Sequence, residues 1–462
     1  MYANADYNYA NKYFASFTLT GEANSRFGKH ASGLSLLGVK WAIFPSIQLG
    51  WVLTNESWFP RTSGINYLRV NAGFDISGND NISNYAARTT LSSVVFNYNA
   101  IGLKLTNIGN DEIQWESTKK YNVGLQGYFL NNRLGINMDF YIHKTDNLLT
   151  LKTFDNPIGG VNRYWSNGGA LKNTGFEISV TGKPIVSRDW NLELGASVGH
   201  YKNKVTMLAD GDYTTSVYGD NNILTSVGNP VALFYGYETA GVFSTDAEAK
   251  QAGNGTYLYM TDDAGNVHEF KAGDVHFVDR NNDGIISTAD KTVIGDPNPD
   301  IYGNLFATLS WKRLTLNALF NYSLGNDVYN YERSILNSGS TFYNQQVATM
   351  SHWRYEGQVT DMPKLSYGDT MGNNRFSDRW IENGSYLRLK SLRLNYQVPV
   401  PGKWNWLQGL NVWLEANNLV TITKYKGNDP EFSAANGVLY QGIDAGNLPQ
   451  SRTFTMGLKI NL

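Results

Sequence analysis

The chain has 462 residues, a formal net charge of −2 and only 17% charged residues. This balance provides no basic surface, so nucleic acid is excluded as a partner. The chain contains no cysteine, which excludes disulfides, thiolate catalysis and thiolate metal sites. Aromatic residues make up 13% of the chain and glycine occupies 46 positions, a composition that favours strands over helices.

The sequence contains no run of eighteen apolar residues, which excludes a transmembrane helix. The mean hydropathy of −0.36 is still compatible with a membrane β-barrel, because alternating lipid-facing and lumen-facing residues keep the average polar. Residues 1–13 have neither the basic start nor the apolar core of a signal peptide. We therefore expect either a protein that is not exported or a chain that lacks its beginning.

Segments that alternate apolar and polar residues recur along the whole chain and predict two-faced β-strands. In the last segment the apolar positions are Phe454, Met456, Leu458, Ile460 and Leu462. Most of the segments have about the ten residues that a tilted strand needs to cross the hydrocarbon layer. In chain order, the predicted strands are 2–9, 13–24, 43–53, 65–76, 117–129, 133–145, 174–184, 189–203, 300–312, 314–325, 384–398, 409–421 and 451–462.

One predicted strand changes phase. Leu387 and Leu389 occupy odd positions, whereas Leu392 and Leu394 occupy even ones. A slip at Lys390–Ser391 keeps all four on one face and predicts a β-bulge.

The connections between predicted strands alternate between short and long. The long ones are 204–298, 326–383 and 422–449. Short turns on one side and long loops on the other are typical of an outer-membrane β-barrel with its long loops outside the cell. Because such a barrel has an even number of strands, the odd count predicts further strands before Met1. A soluble β-sandwich or β-helix with two-faced strands remains the alternative.

Several segments resemble the SusC/RagA-type TonB-dependent transporters of the outer membrane, and they follow one another in the order found in that family. They are SRFGK (25–29), FPSIQLGW (44–51), LRVNAGFDISGNDNI (68–82), IGNDEIQWESTKKYNVGL (108–125), GDPNPDIYGNL (295–305), IENGSYLRLKSLRLNYQVP (381–399) and ANNLVTITKYKGNDPEF (416–432).

The resemblance implies an all-β fold, an antiparallel transmembrane β-barrel of twenty-two strands closed by a plug. Residues 1–462 would form the last thirteen or so strands, and the plug domain, the TonB box and the signal peptide would be missing. The implied location is the bacterial outer membrane, in contact with its lipid. The implied partners are a SusD-like surface lipoprotein that acts as a lid and the TonB complex, engaged through the missing N-terminal region. The implied function is import of oligosaccharides or peptides.

Residues 279–290, DRNNDGIISTAD, resemble the calcium loop of an EF-hand without its helices. Asp290 stands where that loop has a bidentate glutamate, which predicts fewer or weaker ligands. The expected role is structural, with a calcium ion pinning the external loop 204–298, and an ion-free Asp/Asn/Gly turn is the alternative. The predicted ligands are Asp279, Asn281, Asp283, the Ile285 carbonyl and Asp290, with Gly284 at the sharp turn.

Aromatic residues in the long loops suit stacking on sugar rings or packing against a peptide. They suit packing between loops and contact with a lid protein equally well. The substrate site is otherwise unassigned, and the candidates are Tyr235, Tyr237, Tyr329, Tyr331 and Trp353.

The sequence gives no support for an enzyme. The six histidines are scattered, and neither H-E-x-x-H nor G-x-S-x-G occurs. Two other functions stay open at this point, a passive outer-membrane porin without a plug and a soluble, calcium-stabilised carbohydrate-binding β protein.

Overall fold

The computed structural model describes residues 1–60, 64–96, 100–219, 222–262, 265–400 and 406–461. Contacts divide the chain into two compact units. The first unit comprises Met1–Asp212, Ser226–Pro230 and Gly303–Asn317, and the second comprises Tyr213–Thr225, Val231–Tyr302 and Ala318–Leu462.

The described residues are mostly in β-strands, and no helix among them is long and apolar enough to span a membrane. The strands are β1 (Tyr2–Tyr9), β2 (Tyr13–Ala23), β3 (Leu34–Leu36), β4 (Val39–Val52), β5 (Ile65–Asn79), β6 (Thr90–Phe96), β7 (Ala100–Asn107), β8 (Glu116–Phe129), β9 (Leu134–Asp146), β10 (Leu149–Ile158), β11 (Val161–Asn167), β12 (Gly169–Val186), β13 (Trp190–Leu208), β14 (Tyr213–Thr215), β15 (Ile223–Thr225), β16 (Leu233–Gly236), β17 (Thr239–Val242), β18 (Tyr259–Thr261), β19 (Val267–Glu269), β20 (Val275–Phe277), β21 (Thr292–Gly295), β22 (Ile301–Trp311), β23 (Leu314–Leu324), β24 (Asp327–Asn330), β25 (Ile381–Asn383), β26 (Tyr386–Val398), β27 (Gly409–Thr423), β28 (Ile443–Asp444) and β29 (Thr453–Asn461). The helices are α1 (Asp246–Ala252) and α2 (Tyr331–Leu336), and 3-10 turns lie at Leu53–Asn55, Thr288–Asp290, Val347–Ser351, Tyr367–Asp369, Asp378–Trp380 and Val438–Tyr440.

The first unit is built on an antiparallel sheet in which chain neighbours pair. Its order is β1-β2-β4-β5-β8-β9-β12-β13, continuing into β22 and the start of β23. Tight turns join β1 to β2, β8 to β9, β12 to β13 and β22 to β23. In the turn between β8 and β9, Leu130, Asn131 and Asn132 all have positive φ. The hairpins β6–β7 and β10–β11 form separate two-stranded sheets.

The second unit contains antiparallel pairs in the order β23-β26-β27-β29. Its connecting segments form smaller sheets with the orders β14-β15-β16-β21, β17-β20, β18-β19 and β25-β24-β28. In the last of these, β24 and β28 are parallel.

The thirteen strands predicted from alternation correspond to the thirteen strands along the main sheet order, so these predictions are confirmed. The largest differences are at the ends of β12 and β13. β12 begins at Gly169 rather than 174, and β13 ends at Leu208 rather than 203. On β29 the apolar side chains of Phe454, Met456, Leu458 and Ile460 are exposed, as an outward face requires, while Leu462 lies outside the described residues.

The irregularity predicted at Lys390–Ser391 is confirmed as a register shift between β26 and β27. The register with β27 shifts between Leu389 and Ser391, whose partners are Val420 and Asn417. Across this interval β26 advances by two residues and β27 by three, so the additional residue belongs to β27. Asn418 there has a φ of 54°, a left-handed conformation that asparagine tolerates better than most residues.

The predicted loop 204–298 has an ordered interior. Residues from this segment form a hydrophobic cluster, here called cluster 1, from Tyr237, Phe243, Ala249, Leu258, Met260, Phe270, Val275, Phe277 and Ile286. A second cluster, cluster 2, combines residues of the 204–298 segment with residues of later segments. It consists of Val217, Ile223, Ala232, Phe234, Tyr329, Phe376, Trp380 and Ile443.

Candidate functional site

The 279–290 loop folds around the carboxylate of Asp279. Its oxygens accept hydrogen bonds from the backbone N–H groups of Asn282 and Gly284, both at 2.8 Å. Asn282 and Gly284 have φ values of 59° and 83°. The chain can turn this sharply at position 284 because glycine has no Cβ to oppose a positive φ.

The remaining acidic groups of the loop also bind backbone N–H groups. Asp283 accepts from Ile285 N at 2.7 Å. Asp290, which is buried, accepts from Arg280 N at 3.0 Å and from Ser287 N at 2.8 Å. These bonds hold both ends of the loop in one compact turn.

The loop is fastened to β18 through backbone hydrogen bonds. Tyr259 N donates to Gly284 O at 3.1 Å, and Ile286 N donates to Tyr259 O at 2.8 Å. The Ile285 carbonyl takes no part in this bridge, while the side chain of Ile286 enters cluster 1. The loop therefore connects directly to the hydrophobic interior of its segment.

The donor chemistry of the loop suits a hard cation, because carboxylate, amide and carbonyl oxygens alternate as calcium ligands do. However, its carboxylates are turned toward backbone N–H groups. In the part of the chain that the structure describes, no three His, Cys, Asp or Glu side chains converge as an ion site. Calcium would have to use the remaining lone pairs of Asp279, Asn281 and Asp283, together with the Ile285 carbonyl.

Two of the five candidate substrate aromatics lie in hydrophobic interiors. Tyr237 is 7% exposed and its ring packs 5.5 Å from Phe277 in cluster 1. Tyr329 is 3% exposed in cluster 2, 4.6 Å from the ring of Phe376. Burial raises the pKa of the Tyr329 hydroxyl to about 12. These positions favour the packing interpretation for both residues.

The other three candidates are partly buried. The ring of Tyr331 lies 5.9 Å from that of Tyr329, so the structure brings these two together. Tyr235 lies on β16, paired with β21. Trp353 donates from Nε1 to the carbonyl of Ser244 at 3.2 Å. The five residues do not form a single binding surface.

Residues 341–367 of the second unit, here called the apolar loop, carry several strongly exposed apolar side chains. Phe342 is 90% exposed and stacks on Tyr367 at 4.7 Å. The sequence contains the aromatics, but only the structure shows that this segment is exposed. Its exposed large hydrophobic residues are Phe342, Tyr343, Val347, Met350, Tyr355, Val359, Leu365 and Tyr367.

A polar cavity of about 390 Å³ lies next to α2 in the second unit. Residues from four separate segments form it, which is why no local sequence pattern predicted it. This cavity is called the polar cavity below. Its lining residues are Asn330, Glu332, Arg333, Asn337, Gln346, Ala348, Ser351, Asp361, Met362, Lys426, Gly427 and Asn428.

Comparison with known proteins places this geometry in a family. The family described as TonB dependent receptor-like, beta-barrel matches residues 1–282. TonB-dependent receptor P3 of Formosa agariphila is 32% identical over 100% of this chain and 45% of its own length. TonB-dependent receptor SusC of Bacteroides thetaiotaomicron is 28% identical over 98% of this chain and 43% of its own length.

The fold agrees with solved structures of the same type. The structure of the RagAB peptide transporter superposes with a TM-score of 0.79 at 25% identity, covering 99% of this chain and 47% of that chain. The chain spans about half the length of the curated relatives it matches. The predicted antiparallel membrane barrel is therefore confirmed as the fold of which this chain is part. The chain belongs to the TonB-dependent receptor-like β-barrel family of the outer membrane and is of the SusC/RagA type.

Proposed function

We propose that the chain is the C-terminal barrel portion of an energy-driven importer of oligosaccharides or peptides. The observation that carries this proposal is the similarity to SusC/RagA-type receptors along nearly the whole chain. The structurally similar RagAB is a peptide transporter, and oligosaccharides are the other cargo class that the resemblance to the SusC/RagA family implies, so both cargo classes stay in the proposal. No catalytic step forms part of it.

The two-faced strands suit this role physically. Apolar side chains on the outer face satisfy the lipid, and paired backbone groups leave no unsatisfied hydrogen bonds in the hydrocarbon layer. The opposite faces carry polar residues such as Asn137, Asp139 and Glu415, which can line a water-filled interior. A plug and a TonB contact, contributed by the N-terminal region of the full-length protein, would supply gating and energy.

A SusD-like surface lipoprotein is the proposed partner, and the apolar loop is its proposed contact. Eight large hydrophobic side chains of this loop are exposed, and exposed apolar patches on protein surfaces commonly mark contacts with a partner. Replacing Phe342 and Val359 with serine should weaken co-purification with the lipoprotein. Replacing the equally exposed Leu37 with serine is the matched control, and equal retention in both variants would rule out this contact.

A structural calcium ion in the 279–290 loop is a further part of the proposal. Asp279, Asn281, Asp283 and the Ile285 carbonyl would hold it, and Asp290 would fix the loop end through its backbone hydrogen bonds. The ion would stiffen the segment 204–298 and would take no part in transport chemistry.

The experiment that tests the function is uptake by intact cells. A strain without the full-length gene, complemented with wild type, should accumulate labelled peptide or oligosaccharide, and dissipating the proton gradient should abolish the accumulation. Uptake that continues without the gradient would support the passive porin instead. Equal uptake with and without the gene would refute a transport role.

A further inference from the structure

The outer face of the first unit carries an apolar groove of about 450 Å³ across β1, β2, β4 and β5. Ala15 pairs with Leu49, and Leu49 pairs with Ala72, so these three side chains lie on one face of the sheet. The adjacent residues Ser16 and Gln48 pair with each other on the opposite, polar face. The groove is called the outer groove below, and its lining includes Tyr7, Tyr13, Ala15, Leu49, Trp51 and Ala72.

Two small side chains create the outer groove. On β2, Ala15 lies between the larger Tyr13 and Phe17 on the same face, and on β5, Ala72 lies two residues before Phe74. Small side chains between larger ones leave a depression in the wall. The atoms that line a depression lose dispersion contacts unless another molecule fills it.

An aromatic and ionic cluster fixes the depth of the groove in the membrane. The rings of Tyr13 and Trp51 stack 6.2 Å apart, and both side chains donate hydrogen bonds to the carboxylate of Glu56, at 2.6 and 3.0 Å. Lys12, in the tight turn between β1 and β2, pairs with the same carboxylate at 3.1 Å. Short turns lie on the periplasmic side of an outer-membrane barrel, and aromatic residues with polar tips lie at its membrane surface. Ala15 is two residues beyond Tyr13, about 7 Å farther along the strand and into the hydrocarbon layer.

This position suits the acyl chain of a phospholipid. The groove opens on the face that meets hydrocarbon, just inside the headgroup level of the periplasmic leaflet, which consists of phospholipids. A chain that enters the groove from that leaflet brings its phosphate to the level of Lys12. The Lys12 ammonium group has three N–H donors and Glu56 accepts one of them, so a phosphate oxygen can accept another.

We infer that the outer groove binds one acyl chain of a phospholipid from the periplasmic leaflet and that Lys12 binds the phosphate of the same lipid. The chain fills the space beside Ala15 and Ala72 and restores the dispersion contacts that these small side chains leave unmade. The inference depends on the outer face of the barrel and is independent of the transported cargo.

The test measures lipid binding by the full-length protein, purified in detergent and depleted of lipid. The probes are dioleoylphosphatidylglycerol and dioleoylglycerol, which has the same chains without a phosphate, and native mass spectrometry gives the Kd of the tightest site. Ala15→Leu combined with Ala72→Leu fills the groove without adding charge. It should raise the Kd of both probes at least about tenfold, because the chain loses its packing contacts. Ala196→Leu, at an exposed position of β13 outside the groove, is the matched control and should leave both Kd values unchanged.

A second pair of variants tests the headgroup contact. Lys12→Gln should raise the Kd of the phosphatidylglycerol about fivefold and leave that of dioleoylglycerol unchanged. Lys183→Gln also removes a lysine that pairs with a carboxylate, Glu193 at 3.8 Å, near the tight turn between β12 and β13. Because Lys183 lies outside the groove, this variant should change neither Kd.

Equal Kd values for the wild type and the double leucine variant would overturn the inference, and so would an equal effect of Ala196→Leu. If the double leucine variant turned a dimer into a monomer while both Kd values stayed unchanged, the groove would belong to a contact with a second copy of the chain. Lipopolysaccharide as the lipid that the groove retains on purification from cells would overturn the assignment to the periplasmic leaflet. Equal effects of Lys12→Gln and Lys183→Gln would refute the phosphate contact.

Discussion

Arg388 on β26 forms ion pairs with the long connection between β27 and β29. Its side chain is 2% exposed, and its guanidinium pairs with Asp429 and, at 3.0 Å, with Glu431. Asp429 in turn accepts hydrogen bonds from the backbone N–H groups of Glu431 and Gln450, both at 2.9 Å. Replacing Arg388 with alanine would leave a buried carboxylate without its cation.

The expected loss of local stability in Arg388→Ala follows from the burial of the ion pair. Breaking a buried ion pair by removing one partner costs about 3–5 kcal/mol, which corresponds to about 150- to 5,000-fold in a local opening equilibrium. Arg393 on the same strand is the matched control. It is 41% exposed and lies 3.8 Å from Glu415, so Arg393→Ala should cost about 1 kcal/mol or less.

Hydrogen exchange followed by mass spectrometry measures the effect at the relevant amides. In Arg388→Ala, peptides containing Glu431 and Gln450 should lose protection by the larger factor, whereas Arg393→Ala should leave them within about tenfold of wild type. This readout is preferable to a single unfolding free energy, because a large membrane protein does not unfold in two states.

The double variant Arg388→Met with Asp429→Asn separates charge from packing. It removes both charges and keeps a side-chain acceptor for one of the two backbone N–H groups that bind Asp429, so part of the protection should return. Equal protection in Arg388→Ala and Arg393→Ala would refute the reasoning, and so would a double variant no better protected than Arg388→Ala.

Three further predictions concern the loops and the outer face. Replacing Asp279 and Asp283 with alanine should remove one calcium ion per full-length protein in calorimetry, and unchanged stoichiometry would indicate the ion-free turn. Burial acts to raise the pKa of Asp429, but hydrogen bonds from Gln450 N, Arg388 and Glu431 N outweigh it and hold the pKa below its ordinary value. The resulting stability is present above the unfolded pKa and is lost as pH falls through the folded one. Protection of residues 424–452, corrected for intrinsic rates, should therefore be flat at neutral pH and decline below about pH 4, and Asp429→Asn should remove that decline. Leu414→Arg on the exposed face of β27 should lower stability in lipid vesicles by about 2–4 kcal/mol, and a loss no larger than that of Leu414→Ala would contradict a lipid-facing position.

The long strands could be predicted because two media act on them. Lipid on one side and water on the other impose a period of two, and even the phase slip at Lys390–Ser391 followed from this rule. The hairpins β6–β7 and β10–β11 lie outside the main sheet. Because lipid and water do not impose a period of two on these hairpins, the alternation of apolar and polar residues did not predict them.

The loops were harder to predict because their interiors combine distant residues. Phe243, Phe270 and Val275 meet in cluster 1, yet none of them belongs to a periodic segment. Residue type also does not separate a buried tyrosine such as Tyr329 from an exposed one such as Tyr343. The polar cavity depends on four segments meeting, which only the fold determines.

The central claim is that the wall has an apolar face toward lipid and a polar face toward water. These 462 residues contain no cysteine. Single cysteines carrying nitroxide labels can be introduced at positions 410–417 of β27 in a cysteine-free variant of the full-length protein reconstituted in vesicles. We predict that collisions with oxygen peak at the even positions and collisions with a water-soluble nickel chelate peak at the odd ones. Even positions shielded from both reagents, as under a second packed sheet, would contradict the account.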